Sequence, residues 1–262
     1  MLEIKDFSIT FNKGTVDERK GLENFSLSLD DGDFVTVIGS NGAGKSTLLN
    51  TICGSYKVDS GKIVLDGMDI TNQKEHRRAR FIGRLFQDPL RGTAPHMTIE
   101  ENLALAYGRG SRPGLAFGVK KSDEKIFKEK LAELDLGLED RLKTPVGLLS
   151  GGQRQALTLL IATIVTPKLL LLDEHTAALD PKTADKVMEL TDKIIKKHSI
   201  TTLMITHNIR NALDYGNKTI LLSQGRLVLV LEGEERKSMT VENLMKLYST
   251  TAADSFSDKM IL

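Results

Sequence analysis

The segment Gly39-Ser40-Asn41-Gly42-Ala43-Gly44-Lys45-Ser46-Thr47 constrains the fold of this chain more than any other. It fits the phosphate-binding loop pattern, with Gly39, Gly44, Lys45 and Ser46 at the required spacing. The flanks agree with the motif. Phe34 to Ile38 reads as a buried strand, and Ser46 to Ile52 as the start of a helix. Glycines let the backbone approach a polyphosphate closely, and the loop N–H groups with the helix N-terminus offer donors and positive potential. Lys45 adds a charge for the β/γ-phosphates, and the Ser46 hydroxyl suits Mg²⁺. A plain glycine turn is the alternative, and the complete pattern in a strand–loop–helix context outweighs it.

Two further segments narrow the chemistry. Leu149-Ser150-Gly151-Gly152-Gln153 opens a helical apolar pattern, so its exposed N–H groups and the Ser150 hydroxyl make a second anion site. Alone it would be an ordinary N-cap. Leu169-Leu170-Leu171-Leu172-Asp173-Glu174 reads as a fully buried parallel strand with carboxylates at its C-terminal end, where doubly wound sheets place ligands. Asp173 suits Mg²⁺, and Glu174 suits a base or water-positioning role at the γ-phosphate.

With these three motifs the chain resembles the ATP-binding cassette (ABC) family, the ATPase subunits of ABC transporters, over nearly its whole length. The resemblance implies an α/β fold: a P-loop NTPase core with a mainly parallel sheet, an antiparallel β flap and an inserted α-helical lobe. It implies a single ABC ATPase domain over 1–262, with the core at 1–87 and 156–262 and the lobe at about 88–155. ATP and Mg²⁺ are the implied cofactors. Gln87 looks like the glutamine-loop residue that senses the γ-phosphate and Mg²⁺, and His207 like the switch histidine that hydrogen-bonds the γ-phosphate. Ser46, Gln87 and Asp173 are then the metal set, and Glu174, His207 and Gln87 the catalytic set. Phe11 occupies the place of the family's adenine-stacking aromatic, and Ala178-Leu179-Asp180 looks like the loop that crosses the dimer interface. In the family the signature Ser150-Gly151-Gly152-Gln153 of one subunit contacts the γ-phosphate on the P-loop of the other. A second copy of the chain is therefore an implied partner. His175 departs from the pattern, since Pro usually follows the Walker glutamate. An imidazole there would add a titratable group near phosphates, but any turn-compatible residue serves, and the plainer reading is preferred.

Composition adds bounds. The 36 basic and 35 acidic residues give no electrostatic reason to expect nucleic acid. The single cysteine, Cys53, excludes a disulfide within the chain, which fits a reducing compartment. No run approaches the ~18 apolar residues of a membrane helix, and the N-terminus has no signal-peptide architecture. A membrane role is thus expected to be peripheral, at the cytoplasmic face, through a separate integral permease.

Local patterns fill in the layout. Leu2 to Phe11 alternates as a half-exposed strand, Asn12 to Arg19 reads as a polar loop, and Asn24 to Asp30 and Lys62 to Leu65 as further flap strands. Lys74 to Arg80 reads as a basic helical stretch with a solvated face. Thr98 with Glu101 makes a capping box, Gly108 to Gly118 a glycine-rich loop, and Ser122 to Lys125 the cap of a helix with Ile126, Phe127, Leu131 and Leu134 packed. Pro181 starts a helix through Lys197, Gln224-Gly225 turns a hairpin, Thr240 to Tyr248 is a short helix, and Ser255 to Leu262 is expected to fray.

A short ATPase with no fused membrane domain resembles prokaryotic systems, often importers. The segment Phe11 to Glu18 and the run Asp173-Glu174-His175-Thr176 resemble ATPases paired with amino-acid permeases, which implies an extracytoplasmic solute-binding protein in the same system. The alternatives are an exporter ATPase and a soluble ABC-type ATPase of iron–sulfur assembly. No room is expected for the C-terminal regulatory domain that some importer ATPases carry.

Overall fold

A computed structural model describes residues 1–109 and 121–248. Along the chain run β1 (Leu2–Phe11), β2 (Arg19–Leu29), β3 (Phe34–Gly39), α1 (Lys45–Cys53), β4 (Ser60–Leu65), β5 (Met68–Asp69), α2 (Glu75–Arg78) and β6 (Ile82–Leu85). Next come α3 (Ile99–Tyr107), α4 (Lys121–Ala132), α5 (Gly151–Thr163), β7 (Leu169–Asp173), α6 (Pro181–His198) and β8 (Thr201–Ile205). The rest is α7 (Ile209–Asp214), β9 (Lys218–Ser223), β10 (Arg226–Glu232), α8 (Gly233–Ser238) and a last helix, α9, over 241–248. The chain divides into two compact units, Met1–Ile82 with the chain from Ile200 onward, and Gly83–Ser199.

The first unit holds the flap, an antiparallel sheet in the order β2-β1-β4-β5. Leu2, Ile4, Phe7 and Ile9 of β1 are buried, so the alternation slips by one residue between Ile4 and Phe7. A bulge at Asp6 (φ 44°) absorbs the slip, and Ser26 Oγ accepts from the Asp6 N–H at 2.9 Å. β2 starts earlier than its apolar pattern suggests. It pairs with β1 to the end, Phe11 against Arg19, so the polar loop stops at Glu18.

In the same unit β3 is buried along its whole length between two parallel partners, β8 and β9. β9 turns antiparallel into β10 through Gln224 (φ 48°) and Gly225 (φ 76°), the double positive φ of the hairpin turn expected there. Ile38, Ala212, Leu221, Leu231 and Leu244 form a core cluster, with Leu244 anchoring the expected helix over 241–248.

The basic stretch at 74–80 differs from expectation. Only Glu75–Arg78 is helical, and Arg78 is 2% exposed rather than solvated. Its Nη1 donates to the Thr51 and Ile52 carbonyls at 2.8 Å each, Nη2 to Thr71 O at 2.8 Å and Nε to Gln73 O at 2.9 Å. The guanidinium therefore caps the C-terminus of the P-loop helix, where carbonyls lack intrahelical partners and the dipole favours a cation.

The second unit contains the lobe helices and β6 beside β7. Thr98 and Glu101 form the expected capping box at α3. Phe127, Leu131 and Leu134 are buried, Ile126 half-buried, and Phe127 meets Tyr107 edge-on at 5.9 Å. Lys121 and Ser122 already belong to α4. The expected loop at Gly108 to Gly118 lies outside the described residues after Arg109, as does the tail from Ser255. The four leucines of β7 are fully buried, as their unbroken apolar run requires. Among the described residues no helix is long and apolar enough to cross a membrane.

Candidate functional site

The first unit carries the phosphate loop. β3 ends at Gly39, where a Cβ would stand 2.4 Å from the Leu222 carbonyl oxygen of the neighbouring β9. Only glycine admits that approach. Gly44, at φ 102°, is the N-cap of α1, and no side chain caps the helix. With glycine at the N-cap, the first turn of the helix has the open N–H end and dipole that suit an anion. Lys45 is buried, and its Nζ donates to Gly39 O at 2.6 Å and Ser40 O at 3.0 Å. The ammonium is folded over the loop it serves. Ser46 stands exposed in the first turn, and Ser40, Asn41, Gly42, Ala43 and Thr47 complete the loop.

The same unit positions Phe11 and His207. Phe11 is half-buried and packs over Gly21, where a Cβ would lie 2.5 Å from Phe11 Cε2 and 3.2 Å from Thr47 Cγ2. The ring thus flanks the end of the phosphate loop. Val37 of β3 is the register partner of Ile205 of β8. Gly39 and His207 each follow two residues later, so both stand at the C-terminal edge of the parallel strands, where such sheets bind ligands. His207 is exposed, and Asn208 behind it caps α7, its Oδ1 accepting from Arg210 N–H at 2.9 Å.

The second unit carries the acidic and signature residues. Asp173 ends β7, and its Oδ2 lies 3.5 Å from Arg84 Nη2 of β6, with the two side chains 16% and 11% exposed. The Arg84 guanidinium also stacks on Phe86, 4.5 Å from the ring centroid, and Arg91 covers the same ring at 5.0 Å. Gln87 follows, exposed. Glu174 is half-buried and holds φ at 47°. A left-handed glutamate stores strain that surrounding structure must hold, a feature that clusters at functional sites.

His175 is 2% exposed, and its Nε2 lies 3.2 Å from Thr191 Oγ1 on α6. Thr191 Oγ1 spends its own proton on Val187 O at 2.7 Å. The hydrogen bond therefore requires a proton on Nε2, which assigns the neutral ring's tautomer. Burial pushes the imidazole down to about 4. His175 is thus a neutral tether from the turn after Glu174 to α6, and the loop is held without proline.

Folding should register this. The unfolded histidine takes up its proton as pH falls through ~6.5, while the folded one resists until about 4. Stability from this group is complete above ~6.5 and declines towards pH 4, by about 3 kcal/mol in total. His175→Gln should flatten that part of the urea-midpoint profile between pH 6.5 and 4. Parallel wild-type and variant profiles would remove His175 as the source.

Ser150 caps α5 in a reciprocal box. Its Oγ accepts from Gln153 N–H and its N–H donates to Gln153 Oε1, both at 3.3 Å. Arg154 Nη2 holds the approach, donating to Gly147 O at 3.0 Å and Leu149 O at 2.9 Å. Gly151 and Gly152 abut Leu179 and Thr183, and a Cβ on Gly152 would lie 2.3 Å from Thr183 Cγ2. Asp180 caps α6, its Oδ1 accepting from Thr183 N–H at 3.1 Å. Hydrogen bonds from Thr183 hold its carboxyl below the usual range. The signature and the Asp180 loop are thus two packed helix starts.

Arg84, Arg78 and Thr191 were not read from the sequence as parts of the site or its support. Arg84 had one signal, its place three residues before Gln87 at the end of an apolar strand. Among the described residues no three His, Cys, Asp or Glu side chains converge on a metal. Mg²⁺ takes one or two protein oxygens and completes its shell with phosphates and water. The Ser46 hydroxyl and Asp173 carboxylate are hard oxygen donors of the right kind.

A phosphate loop between a buried strand and a helix, with carboxylates ending a second buried strand, defines a P-loop nucleoside-triphosphate hydrolase. A family model described as "ABC transporter" matches residues 22–177. The chain belongs to the ABC transporter family: it is an ATP hydrolase of the cassette type, with ATP and Mg²⁺ as its cofactors. It is 46% identical over 249 residues to a tyrosine transport ATP-binding protein of Clostridioides difficile, covering 95% of this chain and 98% of that one. An energy-coupling factor transporter ATP-binding protein of Acetivibrio thermocellus is 31% identical over 231 residues, 86% of this chain and 78% of that one. Among solved structures, the dimeric post-hydrolysis state of the cassette MJ0796 with ADP and Pi superposes with a TM-score of 0.75 at 29% identity, covering 88% and 98% of the two chains.

Proposed function

We propose that this chain is the energising subunit of an importer for an amino acid, with tyrosine or a similar aromatic as the cargo class. One observation carries the cargo: the tyrosine transport relative matches almost end to end at 46% identity. In this reading two copies close around two ATP, each giving a P-loop to one site and Ser150-Gly151-Gly152-Gln153 to the other. They act at the cytoplasmic face of the membrane on a separate permease, fed by a solute-binding protein. The core at 1–87 and 156–262 holds nucleotide, and the lobe at about 88–155, with Gln87, meets the permease.

The roles follow from the chemistry. Phe11 stacks the base. The backbone N–H groups from Gly39 to Thr47, with Lys45, hold the phosphates. Ser46, Gln87 and Asp173 offer oxygens to Mg²⁺, which when bound neutralises charge on the β- and γ-phosphates. Glu174 orients a water and takes its proton as the oxygen bonds to the γ-phosphorus and the bond to the β-bridging oxygen breaks. ADP and phosphate result. His207 donates to the γ-phosphate, and Asp180 sets the loop at the dimer interface. Loss of the shared γ-phosphate removes the differential contact that favours the closed state.

The test is affinity purification of the Glu174→Gln chain with ATP from detergent-solubilised host membranes, paired with labelled tyrosine uptake in cells lacking it. A co-purifying multi-helix permease and lost uptake are expected. Soluble partners alone would favour an assembly-type ATPase, and a permease with unchanged uptake would overturn the cargo.

A further inference from the structure

We propose that Arg19 is a base-clamping residue, closing its guanidinium on the purine face opposite Phe11. The proposal rests on the reading of Phe11 as the base platform. Phe11 and Arg19 are register partners across β1 and β2, so their side chains leave the flap on one face. The Arg19 Cζ lies 5.3 Å from the centroid of the Phe11 ring. Tyr56 meets the same ring at 5.2 Å with an interplanar angle of 79°. Gly21 seats Phe11 low, beside Thr47 at the end of the phosphate loop. A nucleotide whose phosphates sit on that loop thus carries its base towards this cluster.

Arg19 is exposed, and among the described residues its side chain makes no hydrogen bond or ion pair. Its neighbours are engaged elsewhere: Glu18 Oε2 accepts from Gly14 N–H at 2.6 Å, and Lys20 Nζ pairs with Glu23 Oε1 at 2.6 Å. Among the described residues the guanidinium is held by the Phe11 ring alone, which at an exposed position is weak enough to yield to a ligand. A planar base needs ~3.5 Å of contact on each side, about 7 Å between the flanking groups. From 5.3 Å the guanidinium has to lift by about 2 Å, well within the reach of an exposed arginine. Guanidinium planes stack on aromatic faces, and lysine's compact ammonium does so less well. The clamp recognises ring area, so it serves adenine and guanine alike and grips the smaller pyrimidines less.

Calorimetric titration of the full chain with ADP and with inorganic pyrophosphate, both with Mg²⁺, tests this without turnover. Arg19→Ala should weaken ADP roughly three- to tenfold and leave pyrophosphate unchanged, with Arg19→Lys in between. Unchanged ADP affinity overturns the clamp. So does equal weakening of ADP and pyrophosphate, which would make Arg19 a phosphate-attracting charge. Phe11→Ala separates the two readings. If it weakens ADP while Arg19→Ala does not, only the clamp fails. If it leaves ADP unchanged, the platform fails, and the clamp with it.

Discussion

Glu174→Gln is expected to bind ATP at near wild-type affinity and to hydrolyse it at least roughly 100-fold more slowly, the scale of a lost general base. The amide keeps the shape of the side chain and one acceptor oxygen, but it puts an NH2 donor in place of the other oxygen and takes no proton from water. The local fold should persist. Glu174 holds φ 47°, and its turn is closed by the Ala177 N–H to Glu174 O bond at 3.0 Å, a backbone contact the substitution leaves alone. The tether from His175 to Thr191 is likewise untouched. Binding of a fluorescent ATP analogue and phosphate release from the same sample separate the two quantities. Hydrolysis at the wild-type rate would remove Glu174 from the chemistry. Lost binding with lost turnover would show that the carboxylate supports the fold of the turn.

The parts legible in the sequence share one property: their physics is local. The phosphate loop is one strand end, one glycine turn and one helix start, all within Phe34 to Ile52. The Ser150 N-cap and the Thr98–Glu101 box depend on residues within one helical turn, and the Gln224-Gly225 hairpin announces its turn by residue type. The unread parts depend on distant partners. Arg78 lies in a run whose charges suggested a solvated face, and what buries it is the C-terminus of α1, more than twenty residues upstream. Arg84 meets Asp173 because two strands far apart in sequence lie side by side. The burial of His175 required knowing that α6 returns over the turn that precedes it. Burial of a charged or titratable group is a tertiary fact, set by which carbonyls or hydroxyls happen to need a donor.

Arg78→Ala is accordingly expected to bring the largest loss of stability. Four carbonyls, those of Thr51, Ile52, Thr71 and Gln73, accept from one guanidinium at 2.8–2.9 Å. None belongs to a carboxylate, so the buried cation is balanced by carbonyl dipoles and by the negative end of α1. Removing it takes this donor from the Ile52, Thr71 and Gln73 carbonyls, while Thr51 O keeps the Gly54 N–H at 3.1 Å, and leaves a cavity behind Gly54, whose Cβ position lies only 2.8 Å from Arg78 Nε. Truncating one partner of a buried charged network costs about 3–5 kcal/mol, which in a chain of this size lowers the apparent Tm by roughly 6–20 °C. Arg78→Lys should fall between, because an ammonium has three donors on one point and cannot span carbonyls on both α1 and the Thr71–Gln73 turn. The loss falls on the helix that begins with Lys45, so Mg²⁺ and ATP at about 100 times Kd should restore roughly 2.7 kcal/mol by mass action. A thermal shift assay with and without nucleotide measures both effects. An unchanged Tm in Arg78→Ala would mean that the C-terminus of the P-loop helix is held by other contacts, and recovery absent with nucleotide would uncouple it from the phosphate loop.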